Sequence, residues 1–188
     1  MGYGRRLRLR RRRRPGQRQD HLPRGLAVNF RVGQGWDVHR LAPGRPLMLG
    51  GVDVPSDLGE VGHSDGDALF HAIVDAMLGA VAAGDIGRHF SPSDPRWKGA
   101  PSRVFVERAV EILAEAGWRV VNVDSTVLLE RPRLAPLVDD VRASIAEALG
   151  IPIGAVSVKA KTYEGLGPVG RLEAIEAQAV ILLERVGL

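Results

Sequence analysis

The last segment of the chain alternates apolar and polar residues. Alternate positions over 175–183 hold Ile, Ala, Ala, Ile and Leu, and Glu176 and Gln178 lie between the first of them. A period of two is that of a β-strand with one buried face, so a strand is favoured over a helix here. Such a strand requires a sheet and a second layer that covers the sheet's apolar face. This requirement restricts the fold to layered architectures that contain a sheet.

The other apolar patterns add helices and further strands in mixed order. Helices are predicted over 67–83, 102–116 and from after Pro136 to Leu149. Strands are predicted over 28–33, 119–129 and 155–161, and residues 47–49 and 52–54 predict a hairpin closed by Gly50-Gly51. This order predicts an α+β fold, a single layered domain whose mixed β-sheet is covered by helices on one face.

Positive charge is concentrated at one end of the chain. Residues 1–26 carry ten Arg and one acid, a balance of +9, so the remaining residues carry −5 of the net +4. A block of like charge without apolar periodicity stays solvated. We expect residues 1–27 to be a disordered Arg-rich extension, or the result of a start codon placed too early, and residues 28–188 to be the domain. The extension has three alternative interpretations: a surface that binds nucleic acid or anionic membrane, a transit peptide, or a remnant of a fusion partner.

The sequence contains no cysteine. Disulfides and thiolate metal sites are therefore excluded, and a transition metal would have to be held by His, Asp or Glu. No stretch approaches the roughly 18 consecutive apolar residues that suggest a membrane span. We expect a cytoplasmic protein with no membrane partner.

Two neighbouring segments offer ligands for a metal ion. Asp37 and His39 lie two positions apart at the predicted end of the first strand, so their side chains leave the same face. With His71 on the first helix they make a three-ligand zinc site with an open fourth position, as catalytic zinc requires. Asp75, one turn after His71, is predicted to orient that imidazole. The alternative is a chance Asp-x-His pair and an ordinary hydrogen-bonded helix histidine.

Residues 62–67, Gly-His-Ser-Asp-Gly-Asp, lead directly into the first helix. Backbone N–H groups and the positive end of the helix dipole favour an anion such as phosphate at this position. The alternative is that Ser64, Asp65 and Asp67 only cap the helix.

Glycines over 165–170 match the pattern G-x-G-x-x-G. A dinucleotide site needs a crossover helix and an acid about 20 residues further on. Only 18 residues follow Gly170, and they predict a strand, so that function is excluded. The glycines are interpreted as a loop near a ligand. Residues before it offer cations, a hydroxyl and a carboxylate for a hard metal, although they can equally be solvated: Lys159, Lys161, Thr162 and Glu164.

In their order and spacing these motifs resemble the cyclodiphosphate synthase family of the non-mevalonate isoprenoid pathway. The motifs are Gly35-Trp36-Asp37-Val38-His39, His63-Ser64-Asp65-Gly66-Asp67, His71, Asp85-Ile86-Gly87, Asn122-Val123-Asp124 and the run from Lys159 to Gly167. The resemblance spans about Arg31 to Leu183. It implies a homotrimer with active sites shared between subunits, a zinc ion, and a second divalent ion, magnesium or manganese.

The resemblance also implies the activity of a phosphorus–oxygen lyase. The 2-phosphate of 4-diphosphocytidyl-2-C-methyl-D-erythritol 2-phosphate would attack the β-phosphorus of its own diphosphate, closing an eight-membered ring and releasing CMP. Phosphoryl transfer depends mainly on positioning and on neutralising charge, so no protein nucleophile is required.

By position, the resemblance implies that Asp37, His39 and His71 bind zinc and that Glu164 binds the second ion. His63 and Thr162 would stabilise the transition state. The residues implied to contact substrate are Asp37, Val38, His39, His63, Ser64, Asp85, Ile86, Gly87, Phe90, Asp94, Leu129, Glu130, Arg131, Pro132, Arg133, Leu134, Ala135, Lys161, Thr162, Tyr163, Glu164, Pro168 and Arg171.

Two other functions are left open by the residues alone. A metal-dependent phosphohydrolase would use the same zinc to activate water, with His63 as general base. A nucleic-acid-binding protein would use the Arg-rich extension. Nucleic acid is the less favoured partner, because the domain carries a balance of −5 where a basic surface would be needed.

Overall fold

The computed structural model describes residues 29–91 and 93–187, so the predicted extension over 1–27 lies outside the described residues. The strands are β1 (Phe30–Pro43), β2 (Leu47–Leu49), β3 (Val52–Val54), β4 (Leu58–Val61), β5 (Trp118–Leu128), β6 (Val156–Lys161) and β7 (Ala174–Arg185). The helices are α1 (Ala68–Ala80), α2 (Ile86–His89), α3 (Arg103–Glu115), α4 (Val138–Leu149) and α5 (Gly167–Gly170). Short 3-10 turns lie at Pro95–Trp97, Ala135–Leu137 and Ile153–Ala155.

Five strands form one sheet in the order β4-β1-β7-β5-β6. The first three pairings are antiparallel and β5–β6 is parallel, which confirms the predicted mixed sheet. Strand β7 lies at the centre, and its alternate residues from Ile175 to Leu183 are all buried, as the period of two predicted. Strands β2 and β3 pair separately as the predicted hairpin.

The three long helices cover one face of the sheet. Helix α1 packs on β1 and β7, α3 on α1 and β5, and α4 on β6. On β1 and β7 the opposite face carries exposed apolar side chains, among them Val32 at 67% and Trp36 at 52%. The α+β prediction with helices on one face is confirmed. None of the helices in the described part of the chain has the length and apolar character needed to cross a bilayer.

Two glycines of β1 let α1 approach the sheet closely. A Cβ at Gly33 would lie 1.8 Å from the Ala76 carbonyl oxygen, and one at Gly35 would lie 1.9 Å from that of Ala72. Only a residue without a side chain is compatible with backbone contact at this distance. Because Asp37 and His39 follow at the next two positions of the same face, this contact brings them towards α1.

The structure differs from the sequence prediction in β1, in β4 and in the glycine-rich segment, where α5 forms over Gly167–Gly170. Strand β1 continues to Pro43, so Asp37 and His39 lie inside the strand and not at its end. Strand β4, which was not predicted, pairs with the last residues of β1, with Val61 opposite Arg40. Its four residues include Gly59 and show no apolar alternation, so it depends on this pairing.

Candidate metal centre

Asp37, His39 and His71 converge on one point, with all three potential ligand atoms within 4.8 Å of one another. Asp37 Oδ2 lies 2.9 Å from His39 Nε2 and 3.0 Å from His71 Nδ1. The imidazoles are 12% exposed and the carboxylate is 27% exposed, so one side of the group is open. The structure therefore assembles the predicted three-residue group from β1 and α1.

Contacts of His39 identify which of its nitrogens faces the group. Its Nδ1 lies 2.6 Å from the Gly66 carbonyl oxygen and 2.9 Å from Glu60 Oε2. Both partners only accept hydrogen bonds, so Nδ1 carries the hydrogen and donates. Nε2 is the nitrogen that faces Asp37.

The tautomer of His71 follows from its contacts with serine hydroxyl groups. Ser102 donates its only O–H to Asp65 Oδ1, so Ser102 Oγ must accept from His71 Nε2–H at 2.9 Å. Ser64 Oγ also lies 3.1 Å from Nε2. His71 Nδ1 is thereby left to face Asp37.

Opposite charges stabilise each other inside the group. Burial alone would raise the pKa of Asp37, but hydrogen bonds and charge from His39 and His71 hold that pKa well below its usual range. Burial would lower the pKa of His39, yet Asp37 and Glu60 raise it to about 10. Burial dominates at Glu60 and raises its pKa to about 7. In the metal-free chain a proton on His39 therefore takes the place of a cation's charge.

The donor set suits a zinc ion. Two imidazole nitrogens and one carboxylate oxygen are preferred zinc ligands, and three protein ligands leave a fourth position for substrate. Each imidazole donates its other N–H to a protein acceptor, which is the arrangement usual for metal-bound histidine. One lone pair of each histidine is therefore directed at the same point as Asp37.

Three N–H groups at the start of α1 already donate to side chains of the same chain. Asp67 N–H donates to Asp65, Ala68 N–H to Glu60 Oε2, and Phe70 N–H to Asp67 Oδ1. Carboxylates of the same chain accept from these three groups, and a contact of His63 and Ser64 with phosphate stays a prediction. The capping alternative is confirmed for Asp67.

Asp37, His39 and His71 together are called the metal group. A cavity of about 240 Å³ opens beside it and is called the metal cavity. An aromatic cluster forms part of its wall, with the rings of Phe90 and Phe105 4.6 Å apart and that of Trp97 edge-on to both. The lining combines eight predicted site residues with three others: Asp37, His39, His63, Ser64, His71, Ile86, Gly87 and Phe90, then Gly62, Trp97 and Phe105.

Ten of the other predicted residues line two further cavities. One has a volume of about 1230 Å³ and lies between Pro55–Leu58 and the residues that follow β5 and β6. A smaller neighbour of about 180 Å³ shares four of those residues. Predicted residues that line one or both are Leu129, Glu130, Arg131, Pro132, Arg133, Leu134, Ala135, Lys161, Thr162 and Glu164. Neither cavity shares a lining residue with the metal cavity.

Other predicted residues make contacts within the chain. Asp85 caps α2 by accepting from Arg88 N–H, and Asp94 forms an ion pair with Arg96. Arg171 pairs with Glu173 in the same way.

Tyr163, Val38 and Pro168 line none of these three cavities. Tyr163 donates its hydroxyl to Glu176 and Thr162 donates to Glu164 Oε1. Val38 is 45% exposed and Pro168 lies in the first turn of α5.

Asp75 has a different contact from the one predicted. Its Oδ1 accepts from Ile86 N–H at 2.7 Å, while both ring nitrogens of His71 contact Asp37, Ser64 and Ser102. Asp75 therefore fixes the start of α2, whose first residues line the metal cavity.

Glu60 and Ser102 are contacts of the metal group that the sequence prediction missed. Ser102 precedes α3 and makes no side-chain capping bond to it. No local signal identifies Glu60, a lone acid in a short segment.

Comparisons with known proteins were consistent with this geometry. Residues 30–184 match the sequence profile described as the YgbB family. A 2-C-methyl-D-erythritol 2,4-cyclodiphosphate synthase of Dechloromonas aromatica is 61% identical over 85% of this chain and 100% of that protein. One of Chromobacterium violaceum is 61% identical over 82% of this chain and 98% of that protein. A solved synthase structure described as a CDP-bound form superposes with a TM-score of 0.77 at 40% identity, covering 82% of this chain and 100% of that one.

Proposed function

The chain belongs to the YgbB family, and we propose that it is a 2-C-methyl-D-erythritol 2,4-cyclodiphosphate synthase of the non-mevalonate isoprenoid pathway. It would convert 4-diphosphocytidyl-2-C-methyl-D-erythritol 2-phosphate to the 2,4-cyclodiphosphate and release CMP. The observation that carries this proposal is the Asp37–His39–His71 group at an open cavity, in a chain that matches such synthases over their whole length. A cytoplasmic location is part of the proposal.

The residues of the metal cavity fit the diphosphate end of such a substrate. Asp37, His39 and His71 would hold zinc, and Glu164 would hold a magnesium or manganese ion. When bound, the two cations supply positive charge to the diphosphate oxygens. His63 and Ser64 lie in the same cavity and would contact phosphate. The buried aromatic wall would exclude water, which favours attack by the substrate's own phosphate over hydrolysis.

The cytidylyl end of the substrate would lie in the larger cavity, which Arg131 and Arg133 line. Backbone groups over 129–135 would contact the edge of the base. Thr162, whose hydroxyl contacts Glu164, would bind charge that develops during transfer. The solved relative described as CDP-bound supports a nucleotide ligand for this fold.

The proposed active unit is a homotrimer with sites shared between subunits. The metal group and Thr162 line different cavities of the chain, and strands β1 and β6 are separated in the sheet by β7 and β5. Exposed apolar residues on the uncovered sheet face, including Val32 and Trp36, offer a surface for association. A neighbouring chain would bring its Thr162 and Glu164 to the metal cavity.

Phosphorus NMR of the purified chain with substrate, zinc and magnesium tests the function. The expected products are the cyclic diphosphate and CMP in equal amounts. Accumulation of hydrolysed phosphomonoesters without cyclic product would favour the phosphohydrolase. The nucleic-acid alternative would require tight, salt-sensitive binding of nucleic acid by the full chain.

A further inference from the structure

Glu60 is the most buried carboxylate in contact with the metal group, with none of its surface exposed. It lies on β4, the edge strand that pairs with the end of β1. Its Oε2 accepts from His39 Nδ1–H at 2.9 Å and from Ala68 N–H at 3.0 Å. The carboxylate therefore connects one ligand of the proposed zinc site to the start of the helix that carries another.

Burying a carboxylate is costly unless other groups stabilise it. The hydrogen bonding of the Glu60 carboxylate is incomplete, because its Oε1 has no hydrogen-bond partner among the described residues. Burial and the charge of Glu60 together raise the pKa of a second buried carboxylate, Asp67. Helix capping alone does not explain why a carboxylate is buried at Glu60, since Asp67 already caps α1 by accepting from Phe70 N–H.

The Gly66 carbonyl oxygen also accepts from His39 Nδ1–H, at 2.6 Å. That neutral acceptor is sufficient to fix the tautomer, so Glu60 is not needed for the tautomer alone. What Glu60 adds is negative charge on the side of the ring opposite Nε2. A carboxylate at this position makes the imidazole a stronger metal ligand.

We infer that Glu60 is a positioning residue of the metal centre, whose carboxylate strengthens the bond between His39 Nε2 and the cation. This inference rests on the zinc site of the proposed function. It assigns to Glu60 an effect on metal affinity that neither helix capping nor the Gly66 contact supplies.

The test is Glu60→Gln in the full chain, with zinc affinity measured by competition with a coloured chelator. The amide oxygen can accept from both His39 and Ala68, so the contact is kept and the charge is lost. We expect zinc to bind at least 10-fold more weakly, within the 10- to 100-fold range usual for such partners. The cobalt-substituted protein should show a shifted visible absorption spectrum, which a purely structural role would not produce.

Asp67→Asn is the matched control, because it removes a buried carboxylate at the same helix end without contact to His39. It should lower the stability of the metal-free protein and change zinc affinity less than threefold. Glu60→Leu, which removes charge and acceptor together, should bind zinc at least as weakly as Glu60→Gln.

Zinc affinity of Glu60→Gln within twofold of the wild type would overturn the inference. So would an equal loss in Asp67→Asn, since general loosening of the helix end would then be the cause. Zinc binding is measured without substrate, so failure to form cyclic diphosphate would refute the proposed function and leave this inference standing.

Discussion

Ser102 is the residue at which α3 contributes to the metal group. The helix begins at Arg103, yet the Ser102 hydroxyl points inward, between Asp65 and His71, and its side chain is fully buried. The start of α3 near Ser102 was predictable from the helical spacing of apolar residues. The contact between the Ser102 hydroxyl and His71 was not. Only the packing of α3 against α1 brings this hydroxyl to the imidazole.

Ser102→Ala should weaken both folding and zinc binding. His71 Nε2–H and Asp65 each lose a buried partner, which costs about 1–3 kcal/mol of unfolding free energy. Zinc affinity should fall severalfold because His71 loses its orientation. Ser125→Ala is the control: it removes a buried hydroxyl that donates to the Ser157 carbonyl, away from the metal group. Urea unfolding and chelator competition would measure the two effects, and an unchanged zinc affinity in Ser102→Ala would contradict the expectation.

His71→Ala should remove zinc from the purified protein and leave it folded. The ligand set falls from three to two, while the buried face of α1 keeps its apolar residues. Metal analysis and circular dichroism check the two parts. Zinc at full occupancy in this variant would show that His71 is not a ligand.

Metal-free protein should become less stable as pH rises. His39 has a pKa near 10 in the fold and an ordinary value of 6.5, so its stabilising effect is complete below pH 6.5 and disappears as pH approaches 10. Glu60 and Asp67, with pKa values raised to about 7, have effects of the same sign at lower pH. Zinc affinity should instead rise with pH, because zinc displaces the proton of His39.

Denaturant unfolding with a chelator present, at three pH values between about 5.5 and 8.5, would measure this slope. Metal-free protein that gains stability over that range would show that His39 is not held protonated by its two carboxylate neighbours.

At the scale of elements, the contact between β1 and α1 sets the geometry of the site. Gly35→Ala would place a Cβ 1.9 Å from the Ala72 carbonyl oxygen. We expect a loss of about 1–3 kcal/mol or more in unfolding free energy, because the helix has to move outward. Zinc binding should weaken as well, since His71 adjoins Ala72. Gly154→Ala, where no described atom lies within 4 Å of the new Cβ, should change stability by less than about 1 kcal/mol.

Denaturant midpoints of the two variants give the comparison. Equal midpoints for Gly35→Ala and the wild type would mean that α1 tolerates displacement from the strand.

Elements with a clear apolar period were predictable. The alternation over 175–183 identified β7, and the spacing of apolar residues identified the three long helices. Strand β4 was not predictable, because Leu58–Val61 has no pattern of its own and forms by pairing with β1. For the same reason no pattern in the sequence distinguished Glu60 from other acidic residues. The candidate ligand group was predictable, since Asp37 and His39 share a strand face wherever the strand ends.

At the scale of the whole molecule, the proposed homotrimer predicts complementation between two inactive variants. His71→Ala lacks the metal group and Thr162→Ala lacks the hydroxyl that follows β6. If each site combines the two from different chains, mixed trimers formed by joint unfolding and reassembly will contain sites with both wild-type residues. Activity should then partly return.

Each variant reassembled alone is the control and should stay inactive. Mass spectrometry would establish that mixed trimers have formed. Their presence without any return of activity would place both residues in the same chain's site.

Backbone contact between β1 and α1 also bears on how the protein would exchange the proposed zinc ion. The carbonyl oxygens of Ala72 and Ala76 lie directly against Gly35 and Gly33, so main-chain contact sets the spacing of the candidate ligands. A chelator should therefore extract the ion, and cobalt or cadmium should replace it, without any refolding step. Which metal occupies the site would then depend on how much of each metal the cell supplies and on how fast each metal exchanges its ligands.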